Sequence, residues 1–168
     1  MNLDGGIHEI PLPSVGGRLW LCGKHFIAPR AEETLHALPA DQIVCLVQEH
    51  ELRGHYDDYV EWLMSSDRAR WFPIHDLSSP DFDAVIDFYQ SVTEDLAAGR
   101  RIVAHCAAGR GRAGTLAVAV CQILGMPLDE ALAHVRRNRP GAGPEAGAQL
   151  DVVRQFERTR QDSTGRAS

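Results

Sequence analysis

The chain has 168 residues, of which 44% are hydrophobic, 24% charged and 7% aromatic, an ordinary globular balance with enough length for one well-buried core. Seventeen Lys and Arg against 23 Asp and Glu leave a net charge of −6, so no general basic field exists to hold a nucleic acid or an anionic membrane, and any anion must be caught locally. The longest apolar stretches, such as residues 116–124, are far shorter than the roughly 20 residues a membrane span needs, and residues 1–13 lack the basic-then-apolar layout of a signal peptide, so a cytoplasmic protein without membrane insertion is expected.

In chain order, residues 7–12 and 18–22 read as short strands joined at Pro13-Ser14-Val15-Gly16-Gly17, a hairpin signal. Residues 31–38 read as a short helix closed by Pro39. Residues 42–47 (QIVCLV) form a continuous apolar run of the kind buried on both faces of a parallel sheet. A charged loop (48–54), a short amphipathic helix (56–64), a strand (71–74) and a polar loop (77–81) follow. Phe82, Val85, Ile86, Tyr89, Val92 and Leu96 recur at helical spacing over residues 81–98, where Gly99 stops the run. Residues 101–105 (RIVAH) are a third buried-strand candidate, followed by a glycine-bearing loop and an apolar helix over 115–124. Residues 127–138 and 144–160 read as two further amphipathic helices, and 161–168 as a fraying tail. The alternation predicts a single-domain α/β protein with a mainly parallel central sheet flanked by helices, the domain running over residues 1–160.

The chemistry concentrates at His105-Cys106-Ala107-Ala108-Gly109-Arg110-Gly111-Arg112. Ligands of parallel α/β sheets bind beyond the carboxyl ends of strands, where helix N-termini gather. A loop of small residues there can curl so that the amides of Ala107, Ala108, Gly109, Arg110 and Gly111 face inward as an anion nest. Arg112 closes the ring with a planar fork suited to two phosphate oxygens. The same donors stabilise a thiolate at Cys106, making it a nucleophile. Cys22, Cys45 and Cys121 lie in apolar runs and read as small buried hydrophobes, and with no C-x-x-C pair in the chain the thiols are expected to be reduced.

The string HCAAGRGRAGT resembles the His-Cys-x5-Arg signature of the cysteine-dependent protein tyrosine and dual-specificity phosphatases. Glu51-Leu52, Tyr56, Pro73-Ile74-His75-Asp76 and Pro80-Asp81 resemble the corresponding region of the cyclin-dependent-kinase-associated phosphatase and small atypical dual-specificity enzymes. Arg139-Pro140-Gly141 followed by Gln149 resembles their segment after the signature helices. The resemblance implies a phosphatase-like fold and attack by Cys106 on a phosphomonoester, with Arg112 and the loop amides holding the phosphate and Asp76 as general acid. Asp81 and Asp83 are rivals to Asp76, with Asp81 placed to cap the following helix. The resemblance further implies that Gln149 positions water, though a solvent-facing helix residue fits equally. His105 either orders the loop or is simply packed, and Glu51 either braces Arg112 or is a charged loop side chain. Thr115 either reaches the Cys106 sulfur or faces its own helix. Ala113 departs from the serine or threonine usual after the signature arginine, as in the phosphatases of regenerating liver, and this predicts slow hydrolysis of a phosphocysteine.

The expected substrate is a phosphorylated protein, on tyrosine or on serine and threonine. Phosphoinositides or other multiply phosphorylated small molecules come second, because a specialist resembling the tumour-suppressor lipid phosphatases would carry basic residues at both the Ala107 and Arg110 positions and only Arg110 is basic here. A phosphate-binding module without turnover and a sulfurtransferase remain from other classes, and the pairing of Cys106 with Asp76 argues against both. No cofactor and no metal are expected: His50, His55, Asp57 and Asp58 are close in sequence but lack ligand spacing.

Overall fold

A computed structural model describes residues 6–165. The predicted hairpin is present: β1 (Ile7–Ile10) pairs antiparallel with β2 (Arg18–Gly23). The remaining strands, β3 (Gln42–Cys45), β4 (Ala69–Trp71) and β5 (Arg101–Cys106), join in parallel, giving a five-stranded sheet in the order β1-β2-β5-β3-β4. The fold is therefore α/β with a mainly parallel sheet, as expected.

The apolar runs LWLC, IVC and IVA form the inner strands because helices cover them. The helices are α1 (Lys24–Ile27), α2 (Ala31–Ala37), α3 (Asp57–Ser65), α4 (Phe82–Ala97), α5 (Gly111–Ile123), α6 (Leu128–Asn138) and α7 (Gly147–Gly165). Every residue of α5 from Gly111 to Gln122 is buried, and the helix packs against α4, α6, α7 and β5. A helix apolar on all sides belongs at the centre of a domain.

Four local readings change. Helix α1 and the 3-10 turn Ala28–Arg30 precede α2 without any periodic apolar signal to announce them. Strand β4 begins two residues earlier than expected, since Ala69–Trp71 pairs with Ile43–Cys45, and residues 72–74 stay alongside β3, with the Phe72 and Ile74 amides donating to Cys45 O and Leu46 O at 2.9 Å each. Helix α5 begins at Gly111 rather than Thr115 because the Gly114 amide already donates to Arg110 O at 2.8 Å. Helix α7 continues through Gln161 to Gly165, where an apolar stripe is absent but hydroxyls of Ser163 and Thr164 bond back to the preceding turn. Residues 166–168 of the expected tail lie outside the described residues.

Because β5 sits between β2 and β3, its C-terminal loop leaves the sheet at the switch between two directions of strand order, flanked by the ends of both neighbours. The Lys24 amide, just past β2, donates to Ala107 O, and the Leu46 amide, just past β3, donates to His105 O, both at 3.0 Å.

Candidate active site

The loop after β5 is held in a cradle shape by bonds to its outer side. Ala107 O accepts from the Lys24 amide. Ala108 O accepts from Arg139 Nη2 at 2.9 Å and Gly109 O from Arg139 Nε at 2.6 Å. Arg110 O accepts from the Gly114 and Gly143 amides at 2.8 and 3.1 Å. In a trans peptide the N–H points opposite to the C=O. Four carbonyls turned outward therefore turn the amides of Ala108, Gly109, Arg110 and Gly111 inward, above the N-terminus of α5. Gly109 makes the turn possible: its φ is +71°, and a side chain there would run into Cys22 O.

Cys106 lies at the end of β5, 3% exposed, at the floor of this cradle. The other three cysteines are also buried, and burial pushes their thiols up, to about 12 for Cys45 and Cys121 and further still for Cys22.

Arg112 is 2% exposed and fixed from the far side. Glu51 takes both terminal nitrogens, Nη1 to Oε2 and Nη2 to Oε1 at 2.8 Å each, and Nη1 also donates to Ile74 O at 2.8 Å. Glu51 is itself locked, accepting from the Gln48 amide at 2.8 Å while its carbonyl takes Lys24 Nζ at 3.0 Å. Burial works against the Glu51 charge, but the Arg112 bonds outweigh it and hold the carboxyl below its usual value. Of the two openings left at Glu51, the brace on Arg112 is the one found. Among the described residues, Arg112 Nε is buried and has no hydrogen-bond partner.

Asp76 approaches the edge that Nε and Nη2 share: its Oδ1 is 3.4 Å from Nη2 and accepts from the Leu77 amide at 3.0 Å. Its side chain is 60% exposed. Asp81 occupies the N-cap of α4 without a side-chain capping bond, and Asp83 is in the first turn of that helix.

His105 is fully buried, and burial pushes its imidazole down to about 4, so it is neutral. A neutral ring has one N–H. With Nδ1 3.2 Å from Cys106 O and Nε2 2.7 Å from the Tyr59 hydroxyl, Nδ1 donates to the carbonyl and Tyr59 donates to Nε2. Thr115 does not offer its hydroxyl to the sulfur; it donates to Gly111 O at 2.7 Å. Gln149 is not a solvent-facing residue: it is 1% exposed, its Oε1 accepts from the Glu145 amide at 2.8 Å, and its Nε2 lies 3.5 Å from Ser78 O in the Asp76 loop. No group of three or more potential metal ligands is brought together among the described residues.

Sequence reasoning missed Tyr59 and Glu145, and it named Arg139 only as part of a resembling segment, without its bonds to the loop. Arg139 was legible in principle: Ala131 and Val135 are the buried residues of α6, and Arg139 follows them at the same four-residue spacing, a cation in the apolar stripe.

The chain is similar to several known phosphatases. Dual specificity protein phosphatase 1 of Arabidopsis thaliana is 39% identical over 67 residues, a match covering 39% of this chain and 32% of that protein, so the chain spans only about a third of the relative's length. The structure of Tk-PTP in its active form is similar with a TM-score of 0.66 and 25% identity, covering 90% of this chain and 97% of that one. Kinase associated phosphatase shares the fold with a TM-score of 0.75 at 18% identity, over 93% of this chain and 97% of that one. PTPMT1 in complex with PI(5)P does so with a TM-score of 0.68 at 19% identity, over 96% and 99%. The family model described as Tc-R-P, polymorphic toxin system, DSP-PTPase phosphatase matches residues 23–125, which include the β2 end, Glu51, Asp76 and the whole Cys106 loop, and the chain belongs to that family.

Proposed function

We propose that the chain hydrolyses phosphorylated tyrosine, or phosphorylated serine and threonine, of protein substrates through a phosphocysteine at Cys106. The observation that carries this reading is the side edge of Arg112, a buried guanidinium whose Nε has no partner and whose other edge is fixed by Glu51 and Ile74 O. A rigid fork facing an inward ring of amides suits the equatorial oxygens of a phosphoryl group in flight.

In the first step the Cys106 sulfur bonds to phosphorus and the P–O ester bond breaks, with the leaving oxygen taking its proton from Asp76. In the second, water attacks phosphorus and the P–S bond breaks, returning the thiolate. This sequence calls on no cofactor. Cytoplasmic phosphoproteins are the substrates it fits; among the described residues no helix is long and apolar enough to cross a membrane.

A second reading, a phosphoinositide or similar substrate, is favoured by Arg110, which is exposed, packs along Gly141 and makes no ion pair among the described residues. One added cation with Ala107 opposite is less than a second phosphate calls for, so we rank it behind protein substrates. Steady-state hydrolysis of an aryl phosphate, a phosphotyrosine peptide, a phosphothreonine peptide and a phosphoinositide, each with and without vanadate, tests the assignment. Vanadate-sensitive turnover with the peptides ahead is expected. Binding without turnover reduces the chain to a phosphate-binding module, and turnover of the lipid alone exchanges the two readings.

A further inference from the structure

The segment between α6 and α7, residues 139–146, forms a wall of the cradle. The Gly143 amide bonds Arg110 O at 3.1 Å, and Gly141 lies against the Arg110 guanidinium, where an added Cβ would be 3.5 Å from Cδ. Gly114 has no side chain to hold this wall away from α5; a Cβ there would run into Gly143. The wall places Glu145 beside the loop. A Cβ on Gly111, the residue before Arg112, would meet Glu145 Oε2 at 2.9 Å and Gln149 Oε1 at 3.3 Å. The two oxygens differ in what they are free to do. Gln149 Oε1 accepts from the Glu145 amide. The Glu145 carboxylate is exposed and has no ion pair or hydrogen bond among the described residues. Asp76, by contrast, is engaged, with its Oδ1 shared between the Leu77 amide and Arg112.

Resting on the proposed phosphocysteine chemistry, we propose that Glu145 accepts the proton of the hydrolytic water, so that two different carboxylates serve the two steps. The water oxygen bonds to phosphorus, the P–S electron pair returns to the Cys106 sulfur, and one water proton passes to the Glu145 carboxylate and from there to solvent. Asp76 is left with the first step alone. Gln149 acts as a positioning residue, since its side chain anchors the backbone from which Glu145 projects. Glycine at position 111 is what lets the carboxylate approach.

Rapid-quench kinetics on an aryl phosphate separate the steps, because the burst of aryl alcohol reports phosphorylation of Cys106 and the following linear phase reports its hydrolysis. Glu145→Gln should keep the rate and amplitude of the burst while the linear phase slows by roughly 10²-fold, the lower end of what a positioned acid or base contributes. In Glu145→Ala, added formate should restore part of the linear phase without changing the burst. The burst amplitude also counts correctly folded sites, so a misfolded variant is recognised. An unchanged or faster linear phase in Glu145→Gln, or equal slowing of both phases, overturns the role. A wild-type chain that forms no phosphoenzyme overturns the proposed function itself, and this role with it.

Discussion

Arg112 is held chiefly by its terminal nitrogens. With both terminal nitrogens on Glu51 and Nη1 also on Ile74 O, the guanidinium is held against rotation, while its buried Nε has no partner among the described residues. Arg112→Lys offers one ammonium in place of a fork and should lower kcat/KM on an aryl phosphate by roughly 10²- to 10³-fold, the usual cost of losing a donor aimed at developing charge. Asp76→Asn should lower turnover by roughly 10²- to 10³-fold on alkyl or phenyl esters and by much less on activated aryl esters, which leave without a proton. Equal losses on both would assign Asp76 a structural role through its contact with Arg112. Ala113 is fully buried one residue further on, and Thr115 spends its hydroxyl on Gly111 O, so neither supplies the sulfur with a hydroxyl. Ala113→Ser should therefore raise the steady-state rate by roughly tenfold to hundredfold, the worth of a hydrogen bond of about 1.5–3 kcal/mol to a charged atom. Unchanged turnover would show that hydrolysis of the phosphocysteine is not limiting. Cys106 and Arg112 stood out in the sequence because an anion nest calls for their types and order, whereas Asp76 and Ala113 stood out only through the resemblance. Glu51 was less legible: a glutamate in a charged loop looks the same whether it faces solvent or, as here, a guanidinium 61 positions away.

At the scale of elements, the cradle is shaped by a strand end, a helix start and a helix end. Helix α5 begins four residues before the apolar run suggests, since Gly111 to Gly114 carry little side-chain signal and the helix is set by backbone bonds. Arg139, at the C-cap of α6, bonds Ala108 O, Gly109 O and Leu21 O, and its Nη1 meets His8 Nδ1 at 2.7 Å. Its sequence neighbours Arg136 and Arg137 suit the negative end of the helix dipole, which disguises the third arginine as one more of the same kind. Arg139→Ala leaves buried carbonyls without donors at a cost of about 1–3 kcal/mol each and frees two loop peptides to turn. The expected outcome is a lower melting temperature together with a weaker vanadate affinity. A lower melting temperature with vanadate affinity intact would mean that α5 and Lys24 alone hold the loop.

For the molecule as a whole, the sheet order was readable only as far as alternation allows. Continuous apolar runs announce parallel strands, but nothing local tells β5 to enter between β2 and β3, which is the placement that puts Cys106 at the switch point. The same placement buries His105, which makes its protonation one source of acid sensitivity in the fold. Its folded value near 4 lies below the ordinary 6.5. Between those limits the unfolded chain binds a proton that the folded chain refuses, so stability rises with pH through the window and is lost as pH falls. The slope is about 1.4 kcal/mol per pH unit for one proton, and below it Glu51, whose carboxyl is held down, adds loss in the same direction. Denaturant unfolding at pH 7 and pH 5 should show this loss, and His105→Gln should reduce it; an identical pH dependence in the variant would remove His105 as its source. The central claim, covalent catalysis by Cys106, is tested most directly by mass spectrometry of enzyme quenched in acid within the first turnover of an aryl phosphate. One added phosphoryl group on the peptide bearing Cys106, absent from Cys106→Ser, is the result expected. An unmodified Cys106 during undiminished turnover would contradict it.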